Sequence, residues 1–428
     1  MLCALPLGLV IPTIWIVDAA SGPGAHFTDL PPAIAAAQDG DTILVRAGTY
    51  SAVTITGKAL AIRGAGAANT IVRSAVIGNV PGPGHLLLAG MRFGAGVPVV
   101  AGMPGVSITG PGQVVVLDCS LSGASLSGTP FTSAGPGLQV DGGAIVHAVR
   151  CSCVGGDAAG AFSIGGQGAS VSASKLVAGA CTFSGGDVTL LLSGIVAASA
   201  GDAVLVAAAG AADLSGCVCV GGSGTASGPT VAYGGDAVAS LGAGSHVRVS
   251  GPATLWGGVG AGAPTLASGF AISANGGTAV LHGGVTLIPA TTGARLVNGA
   301  VTMHPATMPR LTTQGSALPS GETNALQPFT MTFDAQLPNA PYAFVVGFGP
   351  DFASPFGPLV LGPLFVDLAL AGLATGTLDT QGRFAFSLVP AAVFGSALGI
   401  PIFSQGAAFD VATLQFWTSN VDERIFAL

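Results

Sequence analysis

Apolar and polar positions alternate in one short frame that returns between Met91 and Pro289. Its first positions are Met91, Cys119, Cys151, Cys181, Cys217, Ala253 and Val285, and its third positions are Phe93, Leu121, Cys153, Phe183, Cys219, Leu255 and Leu287. Every member of both files is apolar or a thiol. The position between them reads Arg92, Ser120, Ser152, Thr182, Val218, Thr254 and Thr286. Successive side chains of a strand point to opposite faces, so the frame predicts one strand per copy with a buried and a solvated face. Copies begin 28 to 36 residues apart, a repeat with variable loops.

Each copy has room for two more extended pieces. Gly201-Asp-Ala-Val-Leu-Val206, Gly235-Asp-Ala-Val238 and Gly269-Phe-Ala-Ile-Ser273 form one series; Ala144-Ile-Val146, Ser245-His-Val-Arg-Val249 and Thr278-Ala-Val-Leu281 form another. Three short strands separated by Gly-rich turns predict a coil that winds once per repeat. Stacking like on like buries a continuous core in which only neighbours touch. The expected fold class is therefore all-β, with a parallel β-helix over residues 14–304.

Ahead of the repeat, Phe27 to Gln38 predicts a short helix capped by Thr28 or Asp29, with Pro31 and Pro32 in its first turn and Ile34 facing inward. Such a helix plugs the open end of a coil. The helix leads into Gly40-Asp-Thr-Ile43, then Gly48-Thr-Tyr50, Val53-Thr-Ile55 and Leu60-Ala-Ile-Arg-Gly-Ala-Gly66. From Ile14 to about Ala67 this passage resembles the N-terminal cap of the pectin-lyase-like superfamily. That resemblance implies a single-stranded, right-handed parallel β-helix. Residues 1–13 read as a signal remnant or disordered stub: the apolar run to Val17 has no leading Lys or Arg and no clear cleavage site.

After Val301 the frame stops. Pro305, Pro309 and Pro319 among Thr, Ser and Gly predict a linker over 305–327. Beyond it Phe becomes frequent, and alternation is clean in Phe329-Thr-Met-Thr-Phe333 and Phe384-Ala-Phe-Ser-Leu388, with Asp379-Thr-Gln-Gly382 as a hairpin turn. A C-terminal antiparallel β-sandwich over 328–428 is the expectation. It resembles, on Ile402-Phe-Ser-Gln-Gly-Ala-Ala408 and Thr418-Ser-Asn420, the small β domain behind Gly-rich β-helices of exported bacterial proteins.

Composition narrows the function classes. Charged residues make up 7%, hydrophobic residues 50%, and Gly accounts for 69 of 428, so a chain disordered by charge is excluded. A formal charge of −7 with no basic run argues against nucleic acid as a partner. The apolar stretches Val188–Ala212 and Gly357–Gly376 are broken by Asp202 and Gly, and by Pro358, Pro363 and Asp367, so no membrane span is expected.

The superfamily includes pectin methylesterases, polysaccharide lyases and polygalacturonases, and those relatives imply a carboxylate cluster on one strand face, often with a nearby Arg or Lys. No Asp-Asp pair and no Gly-His-Gly occurs, and from residue 94 to 310 the only Lys or Arg are Arg150, Lys175, Arg248, Arg295 and Arg310. Asp118 and Arg150, one turn apart, predict an exposed ion pair. Asp157 and Asp187 both follow a Gly-Gly pair one turn apart. Their carboxylates would repel in register, which a bound Ca2+ could relieve, although Asp also suits Gly turns. They are the candidate metal residues; no other cofactor and no catalytic residue is assigned.

Six of the seven cysteines fall in the buried files. The one-residue gaps of Cys151-Ser-Cys153 and Cys217-Val-Cys219 fit zinc poorly, so free thiols acting as small hydrophobes are expected. His85, His147, His246 and His282 occupy unequal positions and read as solvated. The expected function is a non-catalytic structural or adhesive protein, secreted or at the bacterial cell surface, with polysaccharide or cell-envelope components as partners. The alternative is a carbohydrate-active enzyme, lyase or glycoside hydrolase, or a carbohydrate-binding protein on the same scaffold.

Overall fold

The computed structural model describes residues 13–427 except 83, 95–101, 128–132, 161, 191–196, 227–230, 262–267, 293, 308–309, 315–322, 325, 348–359, 362–370, 390–400, 411–414 and 419–421. Residues 1–12 of the expected N-terminal stub, with the seventh cysteine Cys3, lie outside these residues. The described chain is all-β with one helix. Its main body is a parallel β-solenoid of about eight turns.

Each turn runs through three walls of a large lobe. The first wall holds Val106–Thr109, Leu138–Asp141, Ala169–Ser172, Val204–Ala207 and Val238–Leu241; the second holds Gly112–Leu117, Ala144–Val149, Lys175–Gly179, Ala211–Ser215 and His246–Ser250. The third is a nine-stranded sheet that includes Ser120–Ser122, Ser152–Val154, Thr182–Ser184, Val218–Val220 and Thr254–Trp256. This third wall is the predicted frame, paired in parallel and in register: Leu121 with Cys153, Cys153 with Phe183, Phe183 with Cys219, and Cys219 with Leu255. First-file residues Met91 to Ala253 are 3% exposed or less, and third-file residues Phe93 to Leu255 are 1% or less, while the middle file faces out.

The thiol expectation holds for the six described cysteines, which are free and buried. Cys119, Cys151, Cys181 and Cys217 stack beside the corner between the second and third walls, where the Sγ of Cys151 donates to the carbonyls of Val116 and Val149 at 3.3 Å each. The corner needs a left-handed residue, and Gly216 is replaced there in earlier turns by Asp118 and Arg150, both at φ 51°. Their side chains form the predicted ion pair, bidentate at 2.7 and 2.9 Å.

The helix spans Leu30–Ala36 with Asp29 as N-cap, and Leu30, Ala33 and Ile34 join the large-lobe core. Lys58 Nζ closes its far end by donating to the carbonyls of Ile34, Ala35 and Ala37.

Three strands per turn proved too few. A smaller lobe carries a four-stranded parallel sheet (Leu126–Ser127, Ala158–Ala159, Val188–Leu190, Gly224–Ala226) and a two-stranded one (Ala197–Ser199, Val231–Tyr233). Its core, including Ala158, Val188, Leu190, Ala198 and Ala232, is separate from that of the large lobe. Short runs rich in Ala and Gly carried too little alternation to be read as strands.

Parallel pairing continues to Val297–Thr307; antiparallel sheets begin with Arg310–Gln314, inside the interval read as a linker, paired with Phe329–Asp334. Among the C-terminal strands, Pro341–Gly347 places Val345 in an apolar cluster with Leu87, Val115 and Val177 on the outward face of the second wall. His147 stands between Val115 and Val177 in that file and is 1% exposed. It is therefore buried rather than solvated, as is His282. Leu86-Leu-Leu88 and Val114-Val-Val-Leu117 are apolar on both faces, the mark of a wall covered on both sides.

Candidate functional site

The two lobes meet at a waist made of glycine. The Gly-Gly pairs that end the third wall carry the chain into the small lobe, and Gly135, Gly166, Gly201, Gly235 and Gly269 bring it back. The two passages bond to each other instead of running along the walls. Gly166 N–H donates to Gly156, Gly186 to Gly166, Gly201 to Gly186, Gly222 to Gly201 and Gly235 to Gly222, all at 2.7 to 2.9 Å. A Cβ on Gly201 would lie 1.9 Å from the carbonyl oxygen of Gly166, and one on Gly235 1.9 Å from that of Gly201. These glycines serve close backbone approach, not a turn.

On each side of the waist stands a file of residues that includes two acids. On the side entering the small lobe stand Ser125, Asp157, Asp187 and Ser223. Asp157 N–H donates to Ser125 Oγ at 3.0 Å, Asp187 N–H to Asp157 Oδ1 at 2.9 Å, and Ser223 N–H to Asp187 Oδ1 at 2.7 Å. Asp157 and Asp187 thus keep the register read from the sequence, and both are exposed. Each carboxylate takes an amide of the next turn. Among the described residues no group of three or more His, Cys, Asp or Glu side chains gathers as a metal site.

On the returning side stand Gln167, Asp202, Asp236 and Phe270, each directly after a waist glycine. Asp236 N–H donates to Asp202 Oδ1 at 2.7 Å, and Phe270 N–H donates to Asp236 Oδ1 at 2.7 Å. The following residues Ala203, Ala237 and Ala271 point into the large core at 0% exposure, so the acids face out, yet both are half-buried. Burial, together with the charge of its neighbour Asp236, raises Asp202 to about 7. Burial raises Asp236 to about 6, opposed by the Phe270 amide and the Ser273 hydroxyl. Two carboxyls on adjacent turns repel when both are ionised, which favours protonation of one of them. Tyr233 is exposed at the end of a small-lobe strand, and Phe270, whose amide donates to Asp236, is half-buried.

In the sequence both residues fall at the starts of predicted strands, and neither stands out as part of a site. The signal was present: Gly-Asp-Ala-Val occurs at 201 and again at 235, which in a coil of this period places the two acids side by side.

No protein-family model matches the chain, and no curated protein matches it. A match to a solved structure is the enzymatically active domain of tailspike protein 4 from bacteriophage CBA120. Identity is 11%, the match covers 82% of this chain and 62% of that one, and the TM-score is 0.23. The chain thus spans less than two thirds of that domain, and a likeness this distant assigns no reaction. The expectation of a protein without catalysis is nonetheless corrected. The apparent absence of paired carboxylates had carried that expectation, and Asp202 and Asp236 are stacked on adjacent turns of the coil.

No helix among the described residues is long and apolar enough to cross a membrane.

Proposed function

We propose that this chain is a carbohydrate-active enzyme that hydrolyses glycosidic bonds in a polysaccharide, with Asp202 as the proton donor and Asp236 as the paired carboxylate. The observation that carries the reading is the stacking of half-buried Asp202 on half-buried Asp236 beside the waist. Glycoside hydrolysis needs two carboxyl groups with different protonation. Each Oδ1 is held by an amide of the next turn. Tyr233 and Phe270 offer the apolar ring faces on which a sugar rests.

Charge argues for a neutral glycan and for hydrolysis over elimination. A lyase acting on uronic acids needs cations to neutralise the sugar carboxylate, whereas both sides of the waist carry acids. A polymer of this kind is met outside the cell, so the reading includes secretion or surface attachment. It also takes the C-terminal antiparallel sheets as layers of a sandwich held to the coil through Val345.

The test is reducing-end release from a panel of neutral and acidic polysaccharides by the wild type and by Asp202→Asn and Asp236→Asn. The expected result is turnover of a neutral glycan, reduced by about 10²- to 10⁴-fold in each variant. Unchanged turnover in both variants, or no turnover across the panel, overturns the reading.

A further inference from the structure

One wall of the coil turns a regular and uncharged face to the outside. Six consecutive strands of the third wall, from Ser120–Ser122 to Thr286–Ile288, are three residues long and pair in parallel without a register shift. The middle residue of each points towards the core, so the first and third face outward, two per strand and twelve in all. None of the twelve is charged, and none is buried. Outward positions elsewhere on the coil do carry charge: Asp141 on the first wall, and Lys175, Asp213 and Arg248 on the second.

Within this face the apolar side chains collect in the last three turns. Val220, Trp256 and Ile288 stand in one file, each paired with the next, and beside it runs the file Val218, Thr254, Thr286. Trp256 is 44% exposed. Thr254 lies two residues back along the same strand, about 6.6 Å away, and Thr286 follows it on the next turn, about 4.8 Å further on. An exposed indole bordered by hydroxyls suits a sugar, which has an apolar ring face and hydroxyls at its edge: the ring rests on the indole, and the threonine hydroxyls both donate and accept. Charge sets the class of sugar. The face offers no cation to a uronate or a sulfate, and across the Gly-Gly pairs it is bordered by Asp157 and Asp187, which repel a polyanion.

We propose that the outward face of the third wall is a second glycan-binding surface, on which Trp256 holds a ring of a neutral polysaccharide while Asp202 and Asp236 lie on the other side of the waist. For the choice of a glycan it rests on the functional reading above; the binding itself needs no turnover. Such a surface keeps the coil on an insoluble polymer while the acid pair works elsewhere along it.

The test is co-sedimentation of the full chain with amorphous cellulose, chitin, granular starch and insoluble β-1,3-glucan, and, for comparison, with alginate and pectate gels. The wild type is expected to bind at least one neutral polymer and neither acidic gel. Trp256→Ala should weaken that binding by about tenfold or more, and Trp256→Tyr, which keeps a ring, should retain most of it. Far-UV circular dichroism establishes that each variant is folded, and size-exclusion chromatography reads the oligomeric state. Binding that is absent in the wild type, equal on the acidic gels, or unchanged in folded Trp256→Ala overturns the surface. A wild-type oligomer that dissociates in Trp256→Ala also overturns it, because the face is then an interface between copies of this chain. The two proposals fail separately. In Asp202→Asn hydrolysis should be lost and sedimentation kept, whereas Trp256→Ala should leave kcat/KM on a soluble neutral oligosaccharide unchanged. Trp256-dependent binding without turnover leaves the surface standing and removes the hydrolase reading; turnover without such binding does the reverse.

Discussion

Asp202 accepts the backbone amide of Asp236 at 2.7 Å, so two carboxyl groups that repel are joined by the peptide of one of them. The amide holds one oxygen of Asp202 in place, and burial makes full ionisation of both costly. That combination gives the pair a pH signature of definite sign. In the unfolded chain both would titrate near the ordinary carboxylate value of 3.8, whereas in the folded chain they titrate at about 7 and about 6. The folded state binds more protons between these limits, so stability should rise as pH falls from about 8 towards 5. Asp202→Asn keeps the amide acceptor and removes the charge. Its melting temperature at pH 8 should exceed that of the wild type by about 2 °C or more, with the difference shrinking towards pH 5. Melts across this range check both.

His147 should act with the opposite sign. Burial in the file between Val115 and Val177 lowers it to about 3, against an ordinary 6.5. Below about pH 6.5 the unfolded chain takes up a proton that the folded chain refuses, so this residue costs stability progressively as pH falls towards 3. His147→Leu should keep the apolar packing and flatten the acid side of the stability profile. Val345 shares that cluster, so acid should also loosen the C-terminal strands from the second wall. Limited proteolysis at pH 7 and pH 4.5, with and without the substitution, reads this directly.

At the waist, Gly201→Ala should cost at least about 3 kcal/mol, because the added methyl meets a backbone carbonyl that itself bonds the neighbouring passage. Gly82→Ala, where nothing lies within 4 Å, should be close to neutral. Denaturant melts of the two variants provide the comparison.

The six core thiols should be silent towards a water-soluble disulfide reagent in the native chain and should all react once it is unfolded. Burial and the proximity of other thiols push Cys119, Cys151 and Cys181 well above the ordinary range, so almost no thiolate is available. Rapid labelling of more than one of the six under native conditions would mean that the files open.

The coil was legible because one file of apolar residues and thiols recurs at nearly constant spacing, and a strand with one dry face needs nothing more to declare itself. The ion pair of Asp118 with Arg150 followed from the same register. The small lobe was not legible: Ala158–Ala159 and Ala197–Ser199 are too short and too uniform to show a period of two. The glycine pairs read as turns for the same reason, since a glycine required by a neighbouring backbone looks the same in sequence as one required by a bend.

The sequence by itself determined the solenoid, its period and its buried files, because those depend only on side chains repeating along the chain. Only the tertiary structure decided that the coil is pinched into two lobes and that Asp202 and Asp236 lie half-buried where Asp157 and Asp187 stay in water. Burial is a property of what surrounds a residue. Here the surroundings are two backbone passages that meet through carbonyl and amide groups, which every residue possesses and no side-chain pattern reports.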